Sequence, residues 1–400
     1  MLTLEEARAA ILAQITPAAA TETVPLPQAH GRYIARELSA RVDNPAFDNS
    51  AMDGYALRAA DLITAHFVLP LDGESRAGAP PSRLLPGTTM RIFTGAPMPD
   101  GADTIVIQED VKFEGDRVVF PKTVQPGSYL RRRGEDFRAG DVLYAPGRRL
   151  SAYDLALLSA AGAVEVPVFR RARALVVATG DELVAPGQPL GPGQIYESNR
   201  LATLMLFQER GVDAIDGGTV RDEPTALRQL LKSAADFDFV VTSGGASVGD
   251  HDLVKQVFAE IGHIEFWKVK IKPGKPVAFG RVGSRTHFFT LPGNPVSSLV
   301  TFMLFVDPAL AVWNHGAPQL LQLSAQAAND FRRHPGRTEF LRARLYTEHG
   351  KLLALALPGQ GSHMLKPIRE TNGFIRVESE SAGFKQGETV TAIPLGTDFS

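Results

Sequence analysis

The residues best suited to chemistry begin with Ser243-Gly-Gly-Ala-Ser-Val-Gly-Asp250. The apolar run Phe237–Thr242 precedes this segment and a helical pattern at His251–Ile261 follows it. At such a junction backbone N–H groups and a helix dipole converge on an anion, and glycines allow close approach. A sharp strand-to-helix turn also needs glycine for geometry alone, so both readings stand. The segment is neither a Walker loop, which would continue Gly-Lys-Ser/Thr, nor a dinucleotide fingerprint. Its candidate binding residues are Ser243, Gly244, Gly245, Ser247, Gly249 and Asp250. Further on, Ile264-Glu-Phe-Trp-Lys-Val-Lys-Ile-Lys272 runs into Pro273-Gly-Lys275-Pro. Strand alternation puts Lys268, Lys270 and Lys272 on one face. Like charges on one face repel unless solvated or paired with an anion. The segment is therefore either a lysine-guarded edge strand or an anion-binding wall that Lys275 extends.

Acids form the second set. Asp181 and Glu182, in Thr179-Gly-Asp-Glu, follow the short apolar run Ala174–Ala178. Carboxylates at a strand's C-terminal end can hold Mg2+ or meet a ligand hydroxyl, and they can equally cap a turn. Asp222 and Asp252 have the same two readings, the second being helix N-terminal acids that face the dipole. In Leu291-Pro292-Gly-Asn294-Pro295, Pro295 suits a first helical turn and Asn294 an N-cap. That helix start is also open to an anion. Asp53 lies in Ser50-Ala-Met-Asp-Gly-Tyr55, Thr94 in Ile92-Phe-Thr-Gly-Ala-Pro97, and Asp136 in Tyr129-Leu-Arg-Arg-Arg-Gly-Glu-Asp136. Turn chemistry and surface ion pairs account for these three as well as a site does. The nine histidines show no metal-ligand spacing, and no Ser/His/Asp set has a local signature.

The chain has 400 residues, 44% hydrophobic and 22% charged, with a formal net charge of -2. That length predicts two to four domains at about 100–200 residues each. The charge argues against a nucleic-acid binder held by bulk positive potential. With no cysteine, disulfides, thiolate metal sites and thiol nucleophiles are excluded. The first residues read as an amphipathic helix start rather than a signal peptide. Apolar runs such as Phe302–Val306 fall short of the ~20 residues that span a bilayer. A soluble protein without membrane contact is expected.

These residues need elements to carry them. Thr3 and Glu6 make a capping box for a helix with Leu4, Ala7, Ile11 and Ile15 on one face, stopped by Pro17. Residues 21 to about 134 are turn-rich with short apolar runs, a β-rich region. Helix returns at Ser151–Ala161. From Arg173 strands and helices alternate: strands at Ala174–Ala178, Phe237–Thr242, Ile264–Ile271, Pro276–Gly280 and His287–Leu291, and helices at Asn199–Arg210, Pro224–Ala235, His251–Ile261 and Pro295–Leu310. This is the signature of βαβ units around a mostly parallel sheet. Trp313–Gln319 suits a linker, and the remainder returns to short strands, a small barrel or sandwich.

Read in order, Ser-Ala-Met-Asp-Gly-Tyr (50–55), Phe-Thr-Gly-Ala-Pro (93–97), Gly-Ala-Asp-Thr-Ile-Val (101–106), Arg-Gly-Glu-Asp (133–136), Thr-Gly-Asp-Glu-Leu (179–183), Gly-Gln-Ile-Tyr (193–196), Ser-Gly-Gly-Ala-Ser-Val-Gly-Asp (243–250), Ile-Lys-Pro-Gly-Lys-Pro (271–276) and Pro-Gly-Asn-Pro-Val-Ser (292–297) resemble the molybdopterin molybdenumtransferases, the MoeA and gephyrin E-domain family. Glu197 stands where that family more often has Asp. The resemblance implies four domains. They are an elongated helical stalk from residues 1–20, 41–47 and 135–170, a β-rich insertion from 21–40 and 48–134, a Rossmann-like molybdopterin-binding α/β domain at 171–314, and a C-terminal β domain at 315–400. It implies a cytoplasmic homodimer whose site is shared between subunits, with contacts to molybdopterin adenylyltransferase and other molybdenum-cofactor proteins. It implies Mg2+-dependent insertion of molybdate into adenylylated molybdopterin, with release of AMP. Asp181, Glu182, Asp222 and Asp252 would then surround the nucleotide and Mg2+. The glycine-rich loop would hold the pterin phosphate, Lys268, Lys272 and Lys275 would attract oxyanions, and Pro292, Asn294 and Pro295 would line the ligand. Asp53, Thr94 and Asp136 would come from the partner, and Arg337 and Ser362 from the last domain. The related adenylyltransferases carry a Thr-Thr-Gly-Gly-Thr-Gly-type loop, which this chain lacks.

Overall fold

The computed structural model describes residues 1–221, 224–244 and 262–396. Asp222, Gly245, Ser247, Gly249, Asp250, Asp252 and the expected helix at 251–261 lie outside them.

The Thr3/Glu6 box is formed and starts helix α1, Leu4–Leu12, with Leu4, Ala7 and Ile11 buried. It ends before Pro17, yet Ile15 still reaches the core. Next comes a six-stranded sheet built from β1 (Gly54–Leu57), β2 (Val68–Ser75), β3 (Thr89–Ile92), β4 (Thr104–Ile107), β5 (Lys112–Glu114) and β6 (Arg117–Val119), in the order β4-β1-β3-β2-β6-β5. Helix α2, Ala152–Ala160, begins at a second capping box between Ser151 and Asp154. Burial pushes the Asp154 carboxyl up, but hydrogen bonds from Ser151, Tyr144 and Arg148 outweigh it and hold the group well below the usual range.

The segments expected to form a helical stalk are mixed. Only α1 and α2 are helical there, 41–47 has no helix, and Glu165–Phe169 is a strand antiparallel to Thr21–Pro25. Alternating Glu-Val-Pro-Val-Phe buries Val166 and Val168 in this ribbon, the period-2 pattern of a strand.

The centre is a six-stranded sheet. Its strands are β7 (Arg173–Thr179), β8 (Asp213–Val220), β9 (Phe239–Ser243), β10 (Gly262–Lys268), β11 (Pro276–Val282) and β12 (Thr286–Leu291), in the order β8-β7-β9-β12-β11-β10. The first four are parallel, and β11 and β10 extend the sheet antiparallel. Strands β9 and β12 are buried along their length, as continuous apolar runs in a covered parallel sheet require. Helices α3 (Asn199–Glu209) and α4 (Pro224–Ala234) make the crossovers. The helical run Pro295–Trp313 is longer than expected. It has 19 residues, and an 18-residue window of it with mean hydropathy 1.7 would suit a membrane span by length and composition, but 78% of that window is buried inside the fold, so it is the core helix. Phe302 on this run meets Phe207 of α3 edge-on at 5.1 Å.

The last strands settle the choice between barrel and sandwich. They are β13 (Leu323–Ala327), β14 (Thr338–Glu348), β15 (Lys351–Ala356), β16 (Gly373–Val377) and β17 (Thr389–Pro394), and the circuit β14-β15-β13-β17-β16 closes where β16 pairs β14. The central core runs on into Phe340, Phe374 and Ile393 of this five-stranded barrel. A second link is the two-residue strand Ile271–Lys272, parallel to Thr338–Glu339 of β14.

That link corrects the lysine face. Val269 and Ile271 are buried and Lys268, Lys270 and Lys272 are exposed, so the alternation holds. However, β10 ends at Lys268 because Leu2 takes over. The Leu2 N–H donates to the Lys268 carbonyl at 3.1 Å, and Lys270 N–H donates to the Leu2 carbonyl at 2.8 Å. The chain then changes sheets, and the three lysines do not share a wall.

Candidate active site

Strands β7, β9 and β12 end side by side at Thr179, Ser243 and Leu291. Ligands of open α/β sheets bind beyond such carboxyl ends. Here they open into a cavity of about 1060 Å³, closed on the far side by the barrel. The backbone there is tightly drawn. The Gly244 N–H donates to the Leu291 carbonyl at 3.1 Å, and Thr179 Oγ1 donates to the Ser243 carbonyl at 3.4 Å. Gly244 has φ +94°, and a Cβ there would stand 2.3 Å from the Thr179 carbonyl oxygen. Only glycine fits.

The structure gathers Glu182, Ser243, Gly244, Lys272, Lys275, Pro292, Asn294, Pro295, Arg337 and Ser362 around this cavity. Lys268 and Asp181 are exposed and outside its lining. Asn294 is the N-cap residue, but its side chain makes no capping bond. Instead the Val296 N–H donates to the Ser362 carbonyl at 3.1 Å, so a barrel loop caps the helix directly at the edge of the cavity. Asn199 Nδ2 reaches the Gly293 carbonyl at 2.7 Å and pins the same loop from α3. Glu197 is buried, and its carboxylate accepts from Arg200 N–H at 2.6 Å. It thereby supplies the α3 cap that Ser198 does not.

One of the two lysines lining the cavity, Lys272, is held from behind. Lys272 Nζ lies 2.8 Å from Glu339 Oε1, and Glu339 Oε2 lies 3.2 Å from Arg333 Nη1. Glu339 is 3% exposed. Two cations sharing one buried carboxylate leave net positive charge, which suits an oxyanion. Glu339, Asn199 and Gln360 carry no motif of their own. The only signal for Glu339 is an acid at an inward position of an apolar strand.

Asp53, Thr94 and Asp136 are elsewhere, beside the N-terminal sheet. Asp53 Oδ1 accepts from Thr94 N–H at 2.7 Å and from its Oγ1 at 2.8 Å. The backbone bond first, and the hydroxyl second, hold the Asp53 carboxyl below the usual range. Asp136 accepts from Asn44 Nδ2 at 2.9 Å. None of the three lines the cavity of its own chain. Among the described residues no group of three His, Cys, Asp or Glu is disposed to hold a metal.

Three family models match the chain in sequence order. They are the MoeA N-terminal region (domain I and II) at residues 2–162, the probable molybdopterin binding domain at 175–312, and the MoeA C-terminal region (domain IV) at 324–395. Together with the α/β cavity and the barrel, they define a multidomain protein of molybdenum-cofactor biosynthesis. A curated relative from Haemophilus influenzae, named molybdopterin molybdenumtransferase, is 39% identical over 99% of both chains. Molybdopterin molybdenumtransferase 2 of Mycobacterium tuberculosis is 37% identical over 92% of this chain and 94% of its own. A crystal structure titled molybdopterin biosynthesis MoeA protein from Pyrococcus horikoshii superposes with a TM-score of 0.84 at 29% identity, covering 98% of this chain and all of that one. The chain belongs to the MoeA family of molybdopterin molybdenumtransferases.

Proposed function

We propose that the chain transfers molybdenum from molybdate to adenylylated molybdopterin, with Mg2+, releasing AMP and forming molybdenum cofactor in the cytoplasm. The observation that carries this reading is the cavity wall of Ser243, Gly244, Lys272, Lys275 and Arg337 facing Glu182. Diphosphate and molybdate are both multiply anionic, and cationic side chains at a helix start and a glycine loop can concentrate them. Glu182 at the rim, with Asp181 next to it, offers the hard oxygen donors that Mg2+ takes. Mg2+ held there would offset charge on the phosphates. Lys272 and Lys275 then orient the oxyanions, and Ser362 and Asn294 border the ligand. The absence of cysteine fits a molybdenum carried on the ligand's own dithiolene sulfurs. The substrate would be supplied by molybdopterin adenylyltransferase, whose product is the adenylylated pterin.

The test is direct. Protein, adenylylated molybdopterin, molybdate and Mg2+ should release AMP and yield cofactor that activates a molybdoenzyme. AMP no faster than in a protein-free control overturns the reading.

Because Asp53, Thr94 and Asp136 lie away from their own chain's cavity, we place them in the partner's cavity within a homodimer. Asp53→Asn and Lys272→Ala proteins should each be inactive. Mixed and reassembled, they should recover about a quarter of wild-type turnover, since half of the dimers then hold one intact site of two. No recovery, in mixtures shown to exchange subunits, would place the whole site within one chain.

A further inference from the structure

One arginine has a cost that its packing does not explain. Arg342, on β14, is 1% exposed and is the largest fully buried side chain among the described residues. Among the described residues no carboxylate pairs with it, and its Nε and Nη1 have no hydrogen-bond partner. Burial pushes its guanidinium pKa down. A buried cation without a counter-charge is less favourable than an apolar side chain of similar volume. Its side-chain hydrogen bonds all go to one loop. Its Nη2 donates to the Gly361 carbonyl at 3.1 Å and also to the Gly359 carbonyl. Its backbone N–H donates to Gln360 Oε1 at 3.0 Å, and its carbonyl accepts from Gln360 Nε2 at 3.0 Å. Residues 360–363 line the cavity, and the next contact along this loop is the Ser362 carbonyl, which caps the helix at Val296.

We propose that Arg342 is a positioning residue. It clamps the barrel end of loop 359–363 so that Ser362 and His363 are held at the cavity and the loop bridges the barrel to the α/β domain. Two glycines in this loop leave its backbone little intrinsic stiffness, so an external clamp has something to fix. The guanidinium suits the task because the single Nη2 carries two N–H groups fixed in the guanidinium plane, one for each carbonyl, whereas an ammonium is a compact, rotatable point charge. The buried charge is then retained for loop geometry at the expense of stability.

The kinetic arm of the test rests on the molybdenum-insertion reading, and the exchange arm does not. In Arg342→Met, melting should be unchanged or higher, and amide exchange of residues 359–363 should be faster than in wild type. The KM for adenylylated molybdopterin should rise about tenfold, with kcat little changed, because a displaced loop loses ground-state contacts. Arg342→Lys should recover only part of that loss. If Arg342→Met folds and keeps wild-type exchange and KM, the clamp is wrong. If it fails to fold, Gln360→Ala removes the other half of the clamp and leaves the guanidinium in place. Unchanged loop exchange and KM in that variant overturn the proposal equally. Wild-type protein that turns over no adenylylated molybdopterin would sink the functional reading, while the exchange measurement would still decide the clamp.

Discussion

Lys272→Ala is expected to lower turnover by about 10²–10³-fold, the cost of removing one preorganised group that stabilises developing charge, while the melting temperature stays near wild type. The reason lies in how the charges are shared. Lys272 is half exposed, with 48% of its side chain accessible, and its partner Glu339 also binds Arg333. Deleting the lysine therefore leaves the buried carboxylate paired, and no stranded charge destabilises the fold. Glu339→Gln should behave in the opposite way. Arg333 has 5% of its side chain exposed and would lose its carboxylate. Breaking such a buried pair by removing one partner costs about 3–5 kcal/mol. Steady-state kinetics and urea unfolding of the two variants check both halves. Unchanged turnover in Lys272→Ala would remove this lysine from the site.

Much of the framework was legible because it is written locally. Two helix starts show locally, Thr3 with Glu6 as a capping box and Ser151 at the head of a helical pattern; the reciprocal bond from Asp154 is added by the structure. The parallel strands show as short apolar runs, because both faces of β9 and β12 are covered. Gly244 stood out because glycines after a buried strand point to special backbone geometry. What pattern could not supply is non-local pairing. Closure of the barrel depends on β16 meeting β14 across intervening strands. The lysine strand is cut by Leu2, from the other end of the chain. Lys272 finds Glu339 only because Ile271–Lys272 joins the barrel in parallel register. Expected helix in the stalk segments gave way to a ribbon for the same reason, since Thr21–Pro25 is the partner that makes Glu165–Phe169 a strand. The motif residues Asp53 and Thr94 are found hydrogen-bonded to each other away from the cavity, a separation that sequence order could not reveal.

His287 gives the fold a pH dependence in the mildly acidic range. Its ring is fully buried between Phe239, at 5.4 Å, and Phe279, at 6.5 Å. Its Nε2 accepts a long bond from Thr16 N–H at 3.4 Å, and Nδ1 has no partner among the described residues. Burial first, and nearby Arg281 second, push its pKa down to about 4 against an ordinary 6.5, with Asp238 pulling weakly the other way. The folded protein thus refuses a proton that the unfolded chain accepts. Above pH 6.5 both states hold His287 neutral and it contributes no pH dependence. As pH falls from 6.5 toward 4 the unfolded state gains a proton alone and stability is lost. At 1.36 kcal/mol per pKa unit, the loss from this one group should reach about 2 kcal/mol by pH 5 and about 3 kcal/mol at its limit. Carboxylates add their own slope, so the quantity to measure is the difference between wild type and His287→Phe in urea unfolding at pH 8 and pH 5. The phenyl ring keeps the aromatic packing and cannot titrate, so the variant should lose about 2 kcal/mol less than wild type between those two values. Equal losses in the two proteins would show that the imidazole is protonated in the fold, with Asp238 or water reaching it.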